Sequence, residues 1–278
     1  MPTTSLDGQV VVITGAGRGI GLATASRFAA AGATVVIGDL DDDVAAEAAL
    51  QVGGRTVGHV VDVADRESYA RFIELARAQG PIDVLVNNAG IMPLSPLVEE
   101  SDEATDRIID INLRGVITGT KLVAPDMIAR GRGHIINVAS AVGRLAVANG
   151  ATYSASKFAV VGFTEAMQSE LAPAGVDVSC ILPTVVATEL ASGVAATKGM
   201  RAVKPEEVAT AILDVAHKPR FETWVPGWSK GLFYSTNALP RRVRNAASHA
   251  LGADQALSRI DADARRAYEH RAAGSVEG

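Results

Sequence analysis

Val10-Val11-Val12-Ile13-Thr14-Gly15-Ala16-Gly17-Arg18-Gly19-Ile20-Gly21 is the stretch on which the fold turns. Its first four residues are a continuous β-branched run, as in a strand buried on both faces of a parallel sheet. Glycines end that run. From residue 20 to 31 apolar residues then recur at helical spacing, stopping at Gly32, which suits a C-terminal cap.

The same change of period repeats along the chain. Strand signals fall at residues 34–37, 56–61, 84–86, 135–138, 176–182 and 223–225, making seven short strands with the first. Helical patterns fill most gaps, at residues 44–52, 68–79, 101–130, 155–171 and 205–216. This alternation specifies parallel strands with crossover helices, hence the α/β class and a doubly wound seven-stranded parallel sheet. No linker rich in Pro, Gly or Ser and no fixed-period repeat divides it, so residues 1–228 read as a single Rossmann-type domain.

Residues 229–278 differ. They carry one lysine and seven arginines against five acids, net +3, whereas the first 228 residues carry 18 basic and 26 acidic side chains, net −8. Val243, Ala246, Ala247, Ala250 and Leu251 mark one helical face, with Trp224, Trp228, Leu232 and Phe233 just before it. A helical extension packed on the domain or at a subunit interface is expected, in preference to a membrane-surface role.

Composition narrows the function classes. With 278 residues, 48% hydrophobic and 21% charged, there is ample material for a core and no disordered or fibrous signature. The net charge of −5 offers no basic surface for nucleic acid. Cys180 is the only cysteine, which excludes an intrachain disulfide and suits the cytoplasm. The N-terminus lacks the cationic start and apolar run of a secretory signal. No apolar run reaches the ~18 residues of a spanning helix, so no membrane association is expected. His59, His134, His217, His249 and His270 show no metal-ligand spacing, so no metal is expected, and Gly-x-Ser-x-Gly is absent.

The loop after the first strand reads G-x-x-x-G-x-G through Gly15, Gly19 and Gly21; Ile20 prevents a match to G-x-G-x-x-G. Between a strand and a helix, Gly15, Gly17, Arg18, Gly19, Ile20 and Gly21 would bring free N–H groups and the helix dipole to a pyrophosphate. A tight turn with no ligand is the alternative; a P-loop would need a Lys-Ser/Thr pair, which is missing. Asp39 ends the second strand, where a carboxylate can accept both ribose hydroxyls of an adenosine, favouring NAD over NADP. Arg18 could reach a 2′-phosphate, but position 40 is Leu40 rather than a second cation. Asp39 could instead cap the next helix, although Asp41, Asp42 and Asp43 are better placed for that.

Tyr153 and Lys157, at i and i+4 near the start of a helical pattern, share one face. A nearby ammonium favours phenolate and makes a tyrosine a usable acid/base. Ser140, just after a strand, can hydrogen-bond a substrate oxygen, and Asn112 could hold a water that relays a proton from Lys157. Taken singly, a Tyr/Lys pair is usually a surface contact and Ser140 could merely end a strand.

TGAGRGIG at 14–21, Asn87-Asn88-Ala89-Gly90 after the fourth strand, Asn112, Ser140 and Tyr-x-x-x-Lys at 153 and 157 occur together and in order. In this combination the chain closely resembles the short-chain dehydrogenase/reductase family over about residues 6–228. The resemblance implies an oxidoreductase moving a hydride between NAD(H) and a secondary alcohol or ketone, with a tetrad of Ser140, Tyr153, Lys157 and Asn112. It implies that Tyr153 and Lys157 also touch the nicotinamide ribose, and that Leu40, Asp62 and Val63 lie at the adenine end. Asn88, Ala89 and Gly90 would flank the cofactor, and Pro183, Val186 and Thr188 would lie at its nicotinamide end. It further implies a homotetramer or homodimer through helices at residues 101–130 and 155–171. Thr184 departs from the family's usual glycine after the proline, which bears on the local backbone and the shape of the nicotinamide pocket.

Ile91, Met92, Pro93 and Leu94, with Val142, Leu145 and Val147, are expected to line the substrate site, which suits a hydrophobic alcohol or ketone. Residues 191–199 read as a lid that orders over ligand, with the extension's aromatics able to close the same pocket. The alternatives are an NADP-dependent ketone reductase, a Rossmann-type methyltransferase, in which the Ser140/Tyr153/Lys157 set would lack a purpose, and a silent NAD-binding sensor or scaffold, in which a broken tetrad would be expected.

Overall fold

The computed structural model describes residues 6–193 and 201–240, together with 242, 243, 265 and 268. All seven expected strands form: β1 (Val10–Thr14), β2 (Thr34–Asp39), β3 (Thr56–Val60), β4 (Ile82–Asn87), β5 (Gly133–Val138), β6 (Val176–Pro183) and β7 (Glu222–Val225). They pair in parallel in the order β3-β2-β1-β4-β5-β6-β7. Among the described residues the helices are α1 (Gly19–Ala30), α2 (Asp42–Val52), α3 (Arg66–Arg77), α4 (Asp102–Ile109), α5 (Gly115–Arg130), α6 (Ala151–Leu171), α7 (Pro205–His217) and α8 (Ser229–Ala238).

The unbroken apolar run of β1 is explained by burial on both sides. Val11 and Ile13 pack with Phe28 of α1, Ala45 of α2 and Ile212 of α7 on one face. Val10 and Val12 pack with Phe72 of α3 and Met127 of α5 on the other. A period of two on a strand thus feeds two separate cores, and helices must cover both.

Two local outcomes refine the sequence reading. The expected long helix at residues 101–130 is interrupted by a π-helical turn at Asp110–Arg114, which separates α4 from α5 and contains Asn112. π turns are costly and recur at functional sites, where they re-aim a side chain. Asp41, not Asp39, caps α2, its carboxylate accepting from Val44 N at 3.3 Å, which leaves Asp39 for other work.

The start of the extension is joined to the sheet by aromatic packing. Trp224 of β7 stacks on Phe233 of α8 with centroids 4.9 Å apart, and Glu222 accepts from Trp224 Nε1 at 2.6 Å and from the Tyr234 hydroxyl at 3.0 Å. Of the expected helical face, Ala246, Ala247, Ala250 and Leu251 lie outside the described residues, as do residues 194–199 of the expected lid. Among the described residues no helix is long and apolar enough to cross a membrane.

Candidate active site

β1 and β4 are neighbours, yet the crossover leaving β1 runs over one face of the sheet and that leaving β4 over the other. The crevice outside their carboxyl ends is therefore the topological switch point, where open α/β sheets take their ligands. The glycine loop borders it. Gly15 (φ +61°) is left-handed, and a Cβ there would fall 2.8 Å from Ala89 Cα; one on Gly21 would fall 2.3 Å from Gly15 O. Both positions exclude any side chain.

Arg18, the N-cap residue of α1, makes no side-chain hydrogen bond to the first turn. The first-turn amides and the positive end of the helix dipole thus suit a pyrophosphate. Arg18 Nη1 instead lies 3.9 Å from Glu189 Oε2, across the crevice in the segment after β6. Gly19 faces that same segment, where a Cβ would meet Thr188 Cγ2 at 3.1 Å. Asp39 is fixed at the end of β2: Oδ2 accepts from Gly17 N at 2.8 Å and Oδ1 from Leu40 N at 2.9 Å. Val61 N donates to Asp39 O at 2.7 Å, bringing Asp62 alongside. Val63 is buried in the core beside Gly115, and Leu40 is half exposed. This set fits a dinucleotide whose adenosine end meets a carboxylate.

Asn88 acts from beneath. Its Nδ2 donates to Thr14 O and Gly15 O, each at 2.9 Å, while Thr14 Oγ1 accepts from Asn88 N and Ala89 N, each at 3.2 Å. The glycine-loop pattern assigns no role to the Thr14 hydroxyl, because that role exists only once β1 lies against β4. Thr184, the departure from family pattern, donates its N–H to Val225 O at 2.9 Å, and among the described residues Asn149 is the only non-glycine with positive φ. The backbone at 184 therefore requires no glycine. Pro183 ends β6, and Val186 is buried and bridges to Val203.

Ser140, Tyr153, Lys157 and Asn112 converge from the segment just after β5, from α6 and from the π turn. Ser140 Oγ accepts from Val142 N at 3.1 Å, and its hydroxyl lies near the Tyr153 phenol, where it favours the phenolate. Lys157 Nζ donates to Val138 O at 3.1 Å and stands 5.9 Å from the Tyr153 ring centroid. Asn112 is fully buried, donating to Ile91 O at 2.9 Å and Ser156 Oγ at 3.2 Å and accepting from Ile91 N at 2.8 Å. A Cβ on Gly90 would lie 3.1 Å from Asn112 Oδ1 and 3.5 Å from Lys157 Nζ, so Gly90 sits where the two approach each other.

Electrostatics correct one expectation. Sequence reasoning puts the ammonium's pull on the phenol first, but in the fold burial dominates both groups. Burial pushes the Tyr153 phenol up to about 12, opposed by the Ser140 hydroxyl, and pulls the Lys157 ammonium down to about 8.

Beside the tetrad, Met92, Leu94 and Tyr153 form a small apolar cluster with Val142, Val147 and Leu190 against them. Of the expected lining, Ile91, Pro93 and Leu145 fall outside this cluster, Ile91 being engaged through its backbone by Asn112. Leu190 is an addition, as are Arg265 and Tyr268, which reach Met92 from the far end of the extension. Among the described residues no three His, Cys, Asp or Glu side chains come together as a metal site.

A family described as short chain dehydrogenase matches residues 9–199. A 3-oxoacyl-(acyl-carrier-protein) reductase of Thermotoga maritima is 37% identical over 224 residues, covering 76% of this chain and 91% of the relative. A sorbitol dehydrogenase of Cereibacter sphaeroides is 40% identical over 191 residues, covering 68% of this chain and 75% of the relative. The crystal structure of a 3-ketoacyl-(acyl-carrier-protein) reductase from Brucella melitensis complexed with NADH superposes with a TM-score of 0.71 at 33% identity, covering 76% of this chain and 92% of that one.

Proposed function

This chain belongs to the short-chain dehydrogenase family, and from that premise we propose that it transfers a hydride between NAD(H) and an apolar secondary alcohol or ketone. The observation that carries the proposal is the burial of Tyr153 and Lys157 together, with Ser140 on the phenol, against an apolar cluster.

Bound NAD(H) supplies the hydride acceptor or donor. Tyr153 Oη takes the hydroxyl proton of the alcohol, or returns it to the ketone oxygen. Ser140 donates to that oxygen as charge develops on it. Lys157 places a cation beside the phenol and lowers the cost of phenolate, while its bond to Val138 O keeps it from solvent. Asn112 holds the backbone of Ile91, and Gly90 leaves room for a proton-relaying water between Asn112 and Lys157.

Asp39 supports NAD over NADP, since a 2′-phosphate would meet a carboxylate already fixed by two backbone amides. Arg18, turned toward Glu189, supports the same choice, and the Brucella relative was crystallised with NADH. An NADP-dependent ketone reductase is the second reading, favoured by the reductase names among the relatives. The buried lone thiol of Cys180 suits a cytoplasmic setting, and half-exposed Phe158 on α6 suits assembly as a homodimer or homotetramer through that helix.

Titration of NADH and NADPH into wild type and Asp39→Ala tests the cofactor assignment. Tighter NADH binding by wild type, lost in the variant, is expected; tighter NADPH binding transfers the proposal to the reductase reading. An NAD-linked screen of alcohols at alkaline pH tests the reaction, and NADH binding without any turnover would favour a sensor or scaffold.

A further inference from the structure

Residues far along the extension enter the site. Tyr268 Oη accepts a hydrogen bond from Met92 N at 2.6 Å. Arg265, fully buried, donates through Nη1 to Leu190 O at 3.2 Å and Ser192 O at 3.1 Å, and through Nη2 to Met92 O. Its guanidinium lies 4.9 Å from the Tyr268 ring centroid. Both residues have helical backbone, three positions apart.

These contacts select their targets. Met92 belongs to the segment after β4 and Leu190 to the segment after β6, and both side chains join the apolar cluster around Tyr153. Arg265 ties the two segments together across that cluster. Met92 has its N–H taken by Tyr268 and its C=O by Arg265, so the extension pairs it in both directions. Taking a guanidinium out of water is expensive unless its donors are met, and here three carbonyls and an aromatic face meet them.

We propose that Arg265 and Tyr268 form the outer wall of the substrate chamber and determine specificity, limiting it to compact, uncharged, apolar alcohols and ketones. The proposal rests on the hydride-transfer reading for its substrate and on the geometry alone for the wall. The apolar cluster beside Tyr153 includes Met92, Leu94, Val142 and Leu190, and the Arg265 charge is directed at backbone carbonyls, so neither the cluster nor Arg265 favours an anionic substrate. A longer substrate must displace the Arg265 bridge to pass between Met92 and Leu190.

Full-length wild type, Arg265→Ala, Arg265→Lys and Tyr268→Phe are compared in two measurements. Amide hydrogen exchange of Met92, in the NADH complex, is expected to quicken at least tenfold in Arg265→Ala and in Tyr268→Phe, with NADH Kd unchanged. Across unbranched secondary alcohols of increasing length, wild type is expected to lose kcat/KM beyond a short optimum. Arg265→Ala is expected to flatten that dependence and raise KM for the short substrate about tenfold, while Arg265→Lys recovers part of the wild-type profile. Unchanged Met92 exchange, or an unchanged length profile in an active enzyme, overturns the proposal. If wild type binds NADH but turns over no alcohol, the hydride-transfer reading fails, and the wall stands or falls on Met92 exchange. Tyr268→Phe guards against misfolding of Arg265→Ala, since it keeps the ring beside the Arg265 guanidinium and removes the hydroxyl that accepts from Met92 N.

Discussion

The amide of Gly17 donates to Asp39 Oδ2 at 2.8 Å, joining the glycine loop to the carboxylate at the end of β2. A Cβ at Gly17 would lie 2.4 Å from Val44 Cγ1 and 2.8 Å from that same oxygen. Gly17→Ala must therefore push Asp39 out of place. We expect NADH Kd to rise at least about tenfold, or ~1.4 kcal/mol, with the NADH/NADPH preference reduced in parallel. Calorimetric titration of both cofactors measures this, and an unchanged preference would show that Asp39 does not set it.

Tyr153→Phe removes the group placed to carry the proton and should lower kcat by a factor of about 10²–10⁴. NADH affinity, followed by fluorescence, should hardly change.

Alcohol oxidation requires Tyr153 as phenolate, so its rate should rise with pH, whereas ketone reduction requires the phenol and should fall at the alkaline end. Burial holds the phenol up at about 12 and the Lys157 ammonium down at about 8, so the ammonium's help is itself lost as pH rises through about 8. Lys157→Met removes that help where the ammonium is charged, so oxidation by the variant should fall furthest below wild type on the acid side of about pH 8 and draw closer to it above. The same deficit at every pH would show that the Lys157 charge does not assist the phenol.

Asn112 satisfies both the N–H and the C=O of Ile91. Asn112→Ala strips both partners at a fully buried position, and leaving such groups unpaired costs about 1–3 kcal/mol. A lowered urea midpoint is expected together with reduced kcat, and loss of kcat alone would mean that Ile91 finds other partners.

His134 is buried on β5 with Nε2 2.8 Å from Ser179 Oγ, and burial holds its imidazole down at about 4, against an ordinary 6.5. Between these values the unfolded chain binds the proton that the folded chain refuses, so stability falls as pH drops through that window. At 1.36 kcal/mol per pH unit the loss is at most about 3 kcal/mol. Urea unfolding at pH 7 and pH 4.5 should show a smaller acid-induced loss for His134→Gln than for wild type.

Sequence alone determined the architecture, for a physical reason. Strands buried on both faces read as unbroken apolar runs and amphipathic helices as a period of 3.6, so Val10 to Ile13 and its six counterparts were legible without coordinates. The glycine loop, Asp39 and the Tyr153/Lys157 pair were legible too, because backbone reversal and i, i+4 spacing are local properties. Tertiary structure alone decided how these parts meet. Thr14 joins Asn88 only because β1 lies beside β4, and Asn112 reaches Ile91 through a π turn that helical periodicity does not reveal. Desolvation, set by the whole surrounding fold, reversed the expected balance on Tyr153. Arg265 and Tyr268 stand more than 170 positions from Met92, and contacts at that separation leave no periodic trace in the chain.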